Sequence, residues 1–231
     1  MSIYAVGDLH LSLDSRIEKP MDVFGKEWEN HHIRLAEYWK TTVTEEDTVI
    51  VAGDISWGLR LEEAKADLDF VASLPGKKVL IKGNHDLWWN SISKLNAMYD
   101  SMIFLQNSCV KADGWYICGS RGWICPGNDE FSQDDEKLYK RECGRIKLSL
   151  EAAANRQAQN IIVAMHYPPT NDKLQPSAFT KMYQEAGVKK VVYGHLHGKS
   201  NFRRGLQGHF CGADYQLVSL DYLECQLKKL V

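Results

Sequence analysis

Residues 78–86 read Lys-Val-Leu-Ile-Lys-Gly-Asn-His-Asp, and this stretch is the strongest indication of the fold. Its first part is a short run of aliphatic and β-branched residues, which is typical of a buried strand. The run ends directly in Gly83-Asn84-His85-Asp86, the most specific polar tetrapeptide of the chain. Oxygen and imidazole groups gathered where a strand ends predict a functional loop at that position.

Four more polar motifs follow apolar runs in the same way. They are Asp8-Leu9-His10, Gly53-Asp54, His166 and Gly194-His195-Leu196-His197. Five of the eight histidines of the chain lie within the five motifs. Because gathering so many polar donors costs solvation, metal ions are the best explanation for the set. We therefore predict one metal site, assembled from loops that are far apart in sequence.

Strand-like and helical segments alternate in the first part of the chain, which predicts βαβ units and a parallel sheet. The predicted strands are Ile3–Val6, Thr48–Ala52, Lys78–Lys82, Trp115–Gly119, Ile161–Met165, Lys190–Tyr193, Gln216–Leu220 and Leu223–Leu227. The predicted helices are Glu27–Lys40, Leu61–Ser73 and, approximately, Asp134–Gln159. In open α/β sheets, ligands bind outside the carboxyl ends of the strands, where every motif lies, so the topology predicts that the motifs converge.

Composition and charge narrow the class of protein. The 231 residues contain no repeat, low-complexity tract or linker, so we expect a single domain over residues 1–231, with a possible cap insertion at about 124–145. The formal charge of −2 gives no global attraction for nucleic acid or membrane.

We expect no signal peptide and no segment of the ~20 apolar residues that span a bilayer. Six cysteines without a CxxC pair favour reduced thiols and a cytoplasmic location.

The donor types indicate which ions the site would hold. Imidazole suits Mn, Fe, Zn, Co or Ni better than Ca or Mg, and the two oxygens of the Asp54 carboxylate could bridge two ions. Seven donors are about right for two divalent ions ~3.5–4 Å apart, the spacing of phosphoester-cleaving sites. Taken singly, an Asp-x-His or Gly-Asp motif is more often a turn or a helix cap. The whole ordered set favours metal binding.

This ordered set of motifs resembles the calcineurin-like metallophosphoesterase superfamily, from residue 8 to residue 197. The resemblance implies an α/β fold, a four-layer αββα sandwich of two mixed sheets (the metallo-dependent phosphatase fold), with two divalent ions of Mn, Fe or Zn. By position it assigns one ion to Asp8, His10, Asp54 and His197. It assigns the other to Asp54, Asn84, His166 and His195. It also implies that His85 acts on the leaving-group oxygen rather than on metal, with Asp86 orienting its ring.

The resemblance implies a hydrolase that cleaves a small phosphomonoester or phosphodiester by attack of a hydroxide activated by both ions. A small phosphorylated substrate is then the expected partner, neither nucleic acid nor a membrane is expected, and the oligomeric state stays open. Two alternatives remain. One is a nuclease of the same superfamily, and the other is a catalytically silent scaffold that still binds metal.

One departure bears on the substrate. Eukaryotic-type Ser/Thr phosphatases of this superfamily carry Gly-Asp-x-x-Asp-Arg-Gly, whereas residues 53–58 read Gly-Asp-Ile-Ser-Trp-Gly, which argues against a phosphoprotein substrate. Arg121, framed by glycines after a predicted strand, could supply the missing guanidinium, with a solvated surface arginine as the alternative. Trp57, Trp88, Trp89 and Trp123 could stack on a substrate or pack the loops. His31 and His32 match no motif and are expected on a helix surface.

Overall fold

The aliphatic runs of the sequence form the inner strands of two sheets in the computed structural model, which describes residues 1–231. The strands are β1 (Ile3–Val6), β2 (Thr48–Val51), β3 (Lys77–Leu80), β4 (Met102–Phe104), β5 (Cys109–Ala112), β6 (Trp115–Ser120), β7 (Ile161–Met165), β8 (Lys190–Tyr193), β9 (Gly208–Phe210), β10 (Ala213–Leu217) and β11 (Lys228–Lys229). The α-helices are α1 (His31–Thr42), α2 (Leu61–Ser73), α3 (Ile92–Asn96), α4 (Gln133–Ala154) and α5 (Ala178–Glu185). Short 3-10 helices lie at Met21–Phe24, Lys26–Trp28 and Phe202–Arg204.

The two sheets are mixed, with parallel strands at their centres. The first has the order β11-β1-β2-β3-β4, in which only β11 runs antiparallel. The second has the order β5-β6-β7-β8-β10-β9, in which the two edge strands β5 and β9 are antiparallel. Because the central strands are parallel, their carboxyl ends meet at one edge of each sheet.

Three apolar clusters show that the sheets are stacked between helices. Ile50 of the first sheet and Ile162 of the second belong to one buried cluster, so the sheets face each other. Trp39 of α1 packs in a second cluster on the outer face of the first sheet. Phe179 of α5 packs in a third cluster on the outer face of the second sheet. The implied four-layer αββα sandwich is therefore confirmed.

The predicted bounds of helices and strands agree best with the structure at the inner strands and worst near the C terminus. Helix α2 has the predicted bounds, whereas α1 begins at His31 rather than Glu27. The strand predicted at Gln216–Leu220 runs Ala213–Leu217 instead, and the predicted strand Leu223–Leu227 is replaced by a turn that ends at Cys225 and an irregular segment. Helix α4 takes the second half of the insertion predicted at about 124–145, and the first half, residues 124–132, belongs to the loop 121–132.

The cysteines and the helices bear on the expectations of reduced thiols and of no membrane-spanning segment. All six cysteines are free thiols. None of the helices combines the length and the apolar character that crossing a membrane requires.

Lys78 is a charged residue inside β3, and only 1% of it is exposed. Its ammonium donates to the carbonyl oxygen of Ala72 at 3.2 Å and to that of Leu74. Both carbonyls lie at the C-terminal end of α2, where the helix dipole favours a cation. Burial lowers the pKa of Lys78 to about 8. Lys78 thus joins α2 to the first sheet, while the burial of its charge is unfavourable.

Lys78 should make the free energy of unfolding depend on pH. Since its pKa is about 8 in the folded protein and 10.5 when unperturbed, the unfolded chain binds more protons between these values, and stability rises as pH rises through this window. As pH rises through this window, the free energy of unfolding of the wild type should therefore increase relative to that of a Lys78→Met variant. The increase is about 1.4 kcal/mol for each unit by which the folded and unfolded pKa values of Lys78 differ. Urea unfolding of both proteins at several alkaline pH values measures this. A difference that stays constant with pH would contradict it.

Candidate metal centre

The motifs of both sheets meet where the carboxyl ends of their central strands adjoin. The residues predicted as ligands are Asp8, His10, Asp54 and Asn84, after strands of the first sheet, and His166, His195 and His197, after strands of the second. Nδ1 of His166 lies 3.7 Å from Oδ1 of Asp8, and its Nε2 lies 3.4 Å from Oδ2 of Asp54. The structure thus brings residues of the two sheets together in one cluster.

One group of donors contains Asp8, His10 and His197, whose ligand atoms all lie within 4.8 Å of one another. The Nε2 atoms of His10 and His197 are 3.2 Å apart. Oδ1 of Asp8 lies 3.6 Å from Nε2 of His197, and Oδ2 of Asp54 lies 3.8 Å from Nε2 of His10. Two imidazole nitrogens that face each other can share one proton or direct two lone pairs at one cation.

The second group is arranged around Asn84. Its Oδ1 lies 2.7 Å from Nε2 of His166 and 3.0 Å from Nδ1 of His195. These two ring nitrogens are 3.2 Å apart. Asp54 approaches His166 of this group and His10 of the other, so its carboxylate lies between the two groups.

The remaining ring nitrogens of two histidines have partners of their own. Nδ1 of His166 lies 3.1 Å from the carbonyl oxygen of Ala52, and Nδ1 of His197 lies 3.1 Å from Oδ1 of Asp221. Such bonds place the proton on Nδ1 and leave the Nε2 lone pair directed into the cluster. Asp221 belongs to none of the five motifs, although it also follows a largely apolar run, Leu217-Val218-Ser219-Leu220.

Several residues of the cluster have left-handed backbone conformations. The φ angles are 59° at Asp8, 44° at His10, 49° at Asp54 and 72° at His195. This region is uncommon for residues other than glycine, and holding a residue in such a conformation costs on the order of 1–3 kcal/mol. Clustered strain of this kind is typical of functional sites, where the surrounding structure enforces it.

Gly83 allows the loops of β2 and β3 to approach each other closely. A Cβ atom built at Gly83 would collide with the carboxylate and the backbone nitrogen of Asp54. The carboxylate of Asp54 also accepts a hydrogen bond from the backbone nitrogen of His85 at 2.8 Å. Any larger residue at position 83 would therefore displace the carboxylate that lies between the two donor groups.

The electrostatics of the cluster favour an added cation. Burial, together with the charge of Asp8, raises the pKa of Asp54 to about 8. Against the effect of burial, Asp8 and Asp221 raise the pKa of His197 to about 10. Ionising both Asp8 and Asp54 is therefore unfavourable unless a positive charge lies nearby. Divalent cations would supply that charge. The mixed oxygen and imidazole donors fit such ions.

His85 lies beside the cluster and is exposed. The centroid of its ring is 4.4 Å from that of Trp57 and 5.7 Å from that of His10. Trp57 in turn stacks on His10 at 4.7 Å, with an angle of 23° between the rings. The His85 ring makes no hydrogen bond to the predicted ligands, so it is available to a substrate.

The Asp86 carboxylate joins two loops through backbone amides, and its expected role in orienting the His85 ring stays a prediction. Its Oδ1 accepts hydrogen bonds from the backbone nitrogens of Ile55 at 2.8 Å and Ser56 at 3.3 Å, and its Oδ2 accepts one from that of Gly83 at 2.7 Å. The carboxylate makes no hydrogen bond to the His85 ring. It fastens the loop after β3 to the loop after β2, because buried backbone amides need acceptors.

Arg121 adjoins the cluster through its backbone, since its carbonyl oxygen accepts a hydrogen bond from the backbone nitrogen of His166 at 3.1 Å. One of its terminal nitrogens lies 3.6 Å from Oε1 of Glu142, a fully buried residue, and its guanidinium lies 4.4 Å from the ring centroid of Trp123. Only 14% of the Arg121 side chain is exposed, so it is not a solvated surface arginine. Its proposed contact with phosphate stays a prediction.

His31 and Trp88 are both buried and stabilise the surroundings of the site. The prediction of a surface position for His31 is wrong, because its ring nitrogens lie 3.0 Å from the carbonyl oxygens of Leu9 and Trp28. His31 thus ties the Asp8–His10 loop to the chain around Trp28, whose ring lies beside His10 and His197. Trp88 is buried and packs the first sheet's outer cluster.

A cavity of about 310 Å³ borders His195. The loop 121–132 contributes Asn128, Asp129 and Glu130 to its wall. Arg204 and Asp172 also line it and form an ion pair. The charged wall residues outside this ion pair, Asp129 and Glu130, are acidic, so the wall beside His195 is negative.

The comparisons with known proteins agree with this geometry. The model of the calcineurin-like phosphoesterase family matches residues 1–199. The chain belongs to this family. Membership makes it a metallophosphoesterase, a hydrolase that acts on phosphate ester bonds.

Relatives of this metallophosphoesterase are found in phage and bacteria. The Gene 66 protein of Mycobacterium phage D29 is 35% identical over 201 residues, which cover 86% of this chain and 79% of the relative. A probable cyclic nucleotide phosphodiesterase of Ruthia magnifica subsp. Calyptogena magnifica is 23% identical, with coverage of 88% and 81%.

Solved structures share the fold at low sequence identity. The protein TT1561 of Thermus thermophilus has a TM-score of 0.62 at 10% identity, with 99% of this chain and 97% of that chain covered. Phosphopantetheinyl hydrolase of Mycobacterium tuberculosis has a TM-score of 0.55 at 15% identity, with coverage of 100% and 95%.

Proposed function

We propose that this metallophosphoesterase hydrolyses small phosphate esters with the aid of two divalent ions. In this proposal one ion is held by Asp8, His10, Asp54 and His197, and the other by Asp54, Asn84, His166 and His195. The arrangement of the donors in two groups that share the Asp54 carboxylate is the observation that supports it. The imidazole-rich donor set favours Mn, Fe or Zn over Ca or Mg.

The reaction needs a nucleophile, charge neutralisation and a proton for the leaving group. Two such ions, when bound, lower the pKa of water and neutralise charge on phosphoryl oxygens. His85 is the proposed general acid, since its exposed ring lies beside the cluster without belonging to either donor group. In its protonated form it donates its proton to the departing alkoxide as the bond between phosphorus and that oxygen breaks. Asp86 holds the His85 loop in place through backbone amides.

The shape and charge of the site favour a small substrate. We propose that residues 1–231 act as one domain in which the loop 121–132 forms a wall of the substrate pocket. The 310 Å³ cavity beside His195 has room for part of a small molecule and carries acidic residues. An extended nucleic acid needs a basic groove that follows its phosphates, which this wall does not offer. Nucleotides and cyclic nucleotides are candidate substrates, given the name of the relative from Ruthia magnifica.

An activity screen of metal-reconstituted protein tests this proposal. The panel contains p-nitrophenyl phosphate, bis-p-nitrophenyl phosphate, nucleotides and cyclic nucleotides, each assayed with Mn, Fe and Zn. Hydrolysis of at least one ester that disappears on chelation is the expected result. Activity with none of them in any metal would favour the catalytically silent scaffold.

The nuclease alternative is tested by the effect of salt on binding. A nuclease that contacts several phosphates loses affinity steeply with salt, with a slope of about −0.9 per phosphate neutralised on duplex DNA. We expect no measurable binding of duplex or single-stranded DNA at low salt, and hence no such slope. A steep slope together with DNA cleavage would support the nuclease.

Asp221 should be needed for tight metal binding although it is not a proposed ligand. Its carboxylate accepts from Nδ1 of His197 and, at 2.9 Å, from the backbone nitrogen of Gly198. Removing such a partner releases the ring orientation and typically lowers metal affinity by about 10–100-fold. An Asp221→Ala variant should show this loss in a metal titration. Unchanged affinity would mean that the loop backbone alone orients His197.

A further inference from the structure

The segment that follows the Asp8–His10 loop is anchored to Trp57, the ring of which stacks on His10. The hydroxyl of Ser12 donates to the carbonyl oxygen of Lys19 at 3.1 Å. The indole nitrogen of Trp57 lies 3.2 Å from the sulfur of Met21, which is itself buried. These contacts on both sides of Lys19 hold its backbone close to Trp57, which borders the proposed reaction centre.

Lys19 carries its charge over the ring of Trp57, which also contacts His85, and has no acidic partner. Its ammonium lies 5.5 Å from the ring centroid of Trp57 and forms no salt bridge with a carboxylate. The same Trp57 ring also contacts the rings of His10 and His85, whose centroids are 4.7 Å and 4.4 Å away. A lysine held only by an aromatic face is free to turn toward an anion on the His85 side.

We propose that Lys19 binds a terminal oxygen of the substrate's phosphoryl group and thereby favours phosphomonoesters over phosphodiesters. This inference rests on the proposed function. Arg121 is already paired with buried Glu142, whereas Lys19 forms no salt bridge and lies over the Trp57 ring that contacts the proposed general acid.

The preference for monoesters follows from charge and from the number of terminal oxygens. A phosphomonoester has three terminal oxygens and two negative charges near neutral pH, whereas a diester has two terminal oxygens and one charge. The Coulomb attraction of one ammonium therefore doubles for the monoester at equal distance. In a diester, the third position is an ester oxygen that carries the second alcohol and accepts a hydrogen bond poorly.

The test compares three variants of the metal-reconstituted protein: Lys19→Met, Lys19→Arg and Lys40→Met. Lys40→Met is the matched control, since Lys40 is an exposed residue of the outer helix α1. Lys19→Met should raise the KM for p-nitrophenyl phosphate and the Kd for inorganic phosphate by about tenfold, the value of one charge-assisted hydrogen bond. Its kcat/KM for bis-p-nitrophenyl phosphate should fall by less than about threefold, because the diester lacks the third oxygen.

The control and the charge-conserving variant complete the design. Lys40→Met should match the wild type in every measurement, and Lys19→Arg should recover most of the affinity for phosphate. An unchanged Kd for inorganic phosphate in Lys19→Met would overturn the inference, and so would an equal loss for both esters. If the wild type hydrolyses no ester, the proposed function fails, while calorimetric titration with inorganic phosphate still decides the role of Lys19.

Discussion

A His85→Ala variant should bind as much metal as the wild type and lose about 10²–10⁴-fold in kcat, the usual contribution of a general acid. The imidazole belongs to neither donor group, and the hydrogen bond from residue 85 to Asp54 comes from its backbone nitrogen, which alanine retains. Metal content is measured by mass spectrometry and turnover with phosphate monoesters.

The leaving group provides a sharper test of His85. A general acid matters most when the departing alkoxide is strongly basic, so the loss should be larger for an alkyl phosphate than for p-nitrophenyl phosphate. An equal loss for both esters would indicate that His85 stabilises the phosphoryl group instead. Loss of metal from the variant would place His85 among the ligands and overturn its role.

A Gly83→Ala variant should lose metal affinity by about 10–100-fold, comparable to the loss of a residue that supports a ligand. The substitution removes no functional group. It adds a Cβ atom where the carboxylate of Asp54 lies, and Asp54 is shared between the two donor groups. Either the carboxylate or the loop after β3 must move, and both movements separate Asp54 from its neighbours. Isothermal titration with Mn or Zn measures the change.

Gly144 provides the matched control for this prediction. It lies within α4, and a Cβ atom built there meets nothing within 4 Å. A Gly144→Ala variant should bind metal as the wild type does, and its free energy of unfolding should rise by about 0.5–1 kcal/mol because alanine favours the helix. If both variants bind metal like the wild type, the close approach at Gly83 does not control the site.

The positions of the proposed ligands could be predicted because they follow from a local pattern and one topological rule. Each of them follows an apolar run, and parallel central strands bring their carboxyl ends to one edge of each sheet. The inner strands were also well predicted, since burial on both faces requires continuous apolar runs such as that of β7.

The contacts around the ligands could not be predicted, because they join segments that are far apart in sequence. Asp86 bonds to the backbone of a loop about thirty residues away. His31 bonds to the carbonyl of Leu9, and Asp221 meets His197 from beyond the last motif. The edge strands β4, β5 and β9 are too short, at three or four residues each, for their periodicity to be recognised.

The division of the donors between the two sheets links metal binding to thermal stability. Four of the proposed ligands follow strands of the first sheet and three follow strands of the second, so bound ions would add a link between halves that already contact each other through apolar packing and hydrogen bonds such as that from the backbone nitrogen of Gly7 to the carbonyl oxygen of Val218. An ion that binds only the folded chain raises its stability by RT ln(1 + [M]/Kd), about 2.7 kcal/mol at a hundredfold excess over Kd. The melting temperature of the protein should therefore rank Mn, Fe and Zn by affinity before any substrate is known.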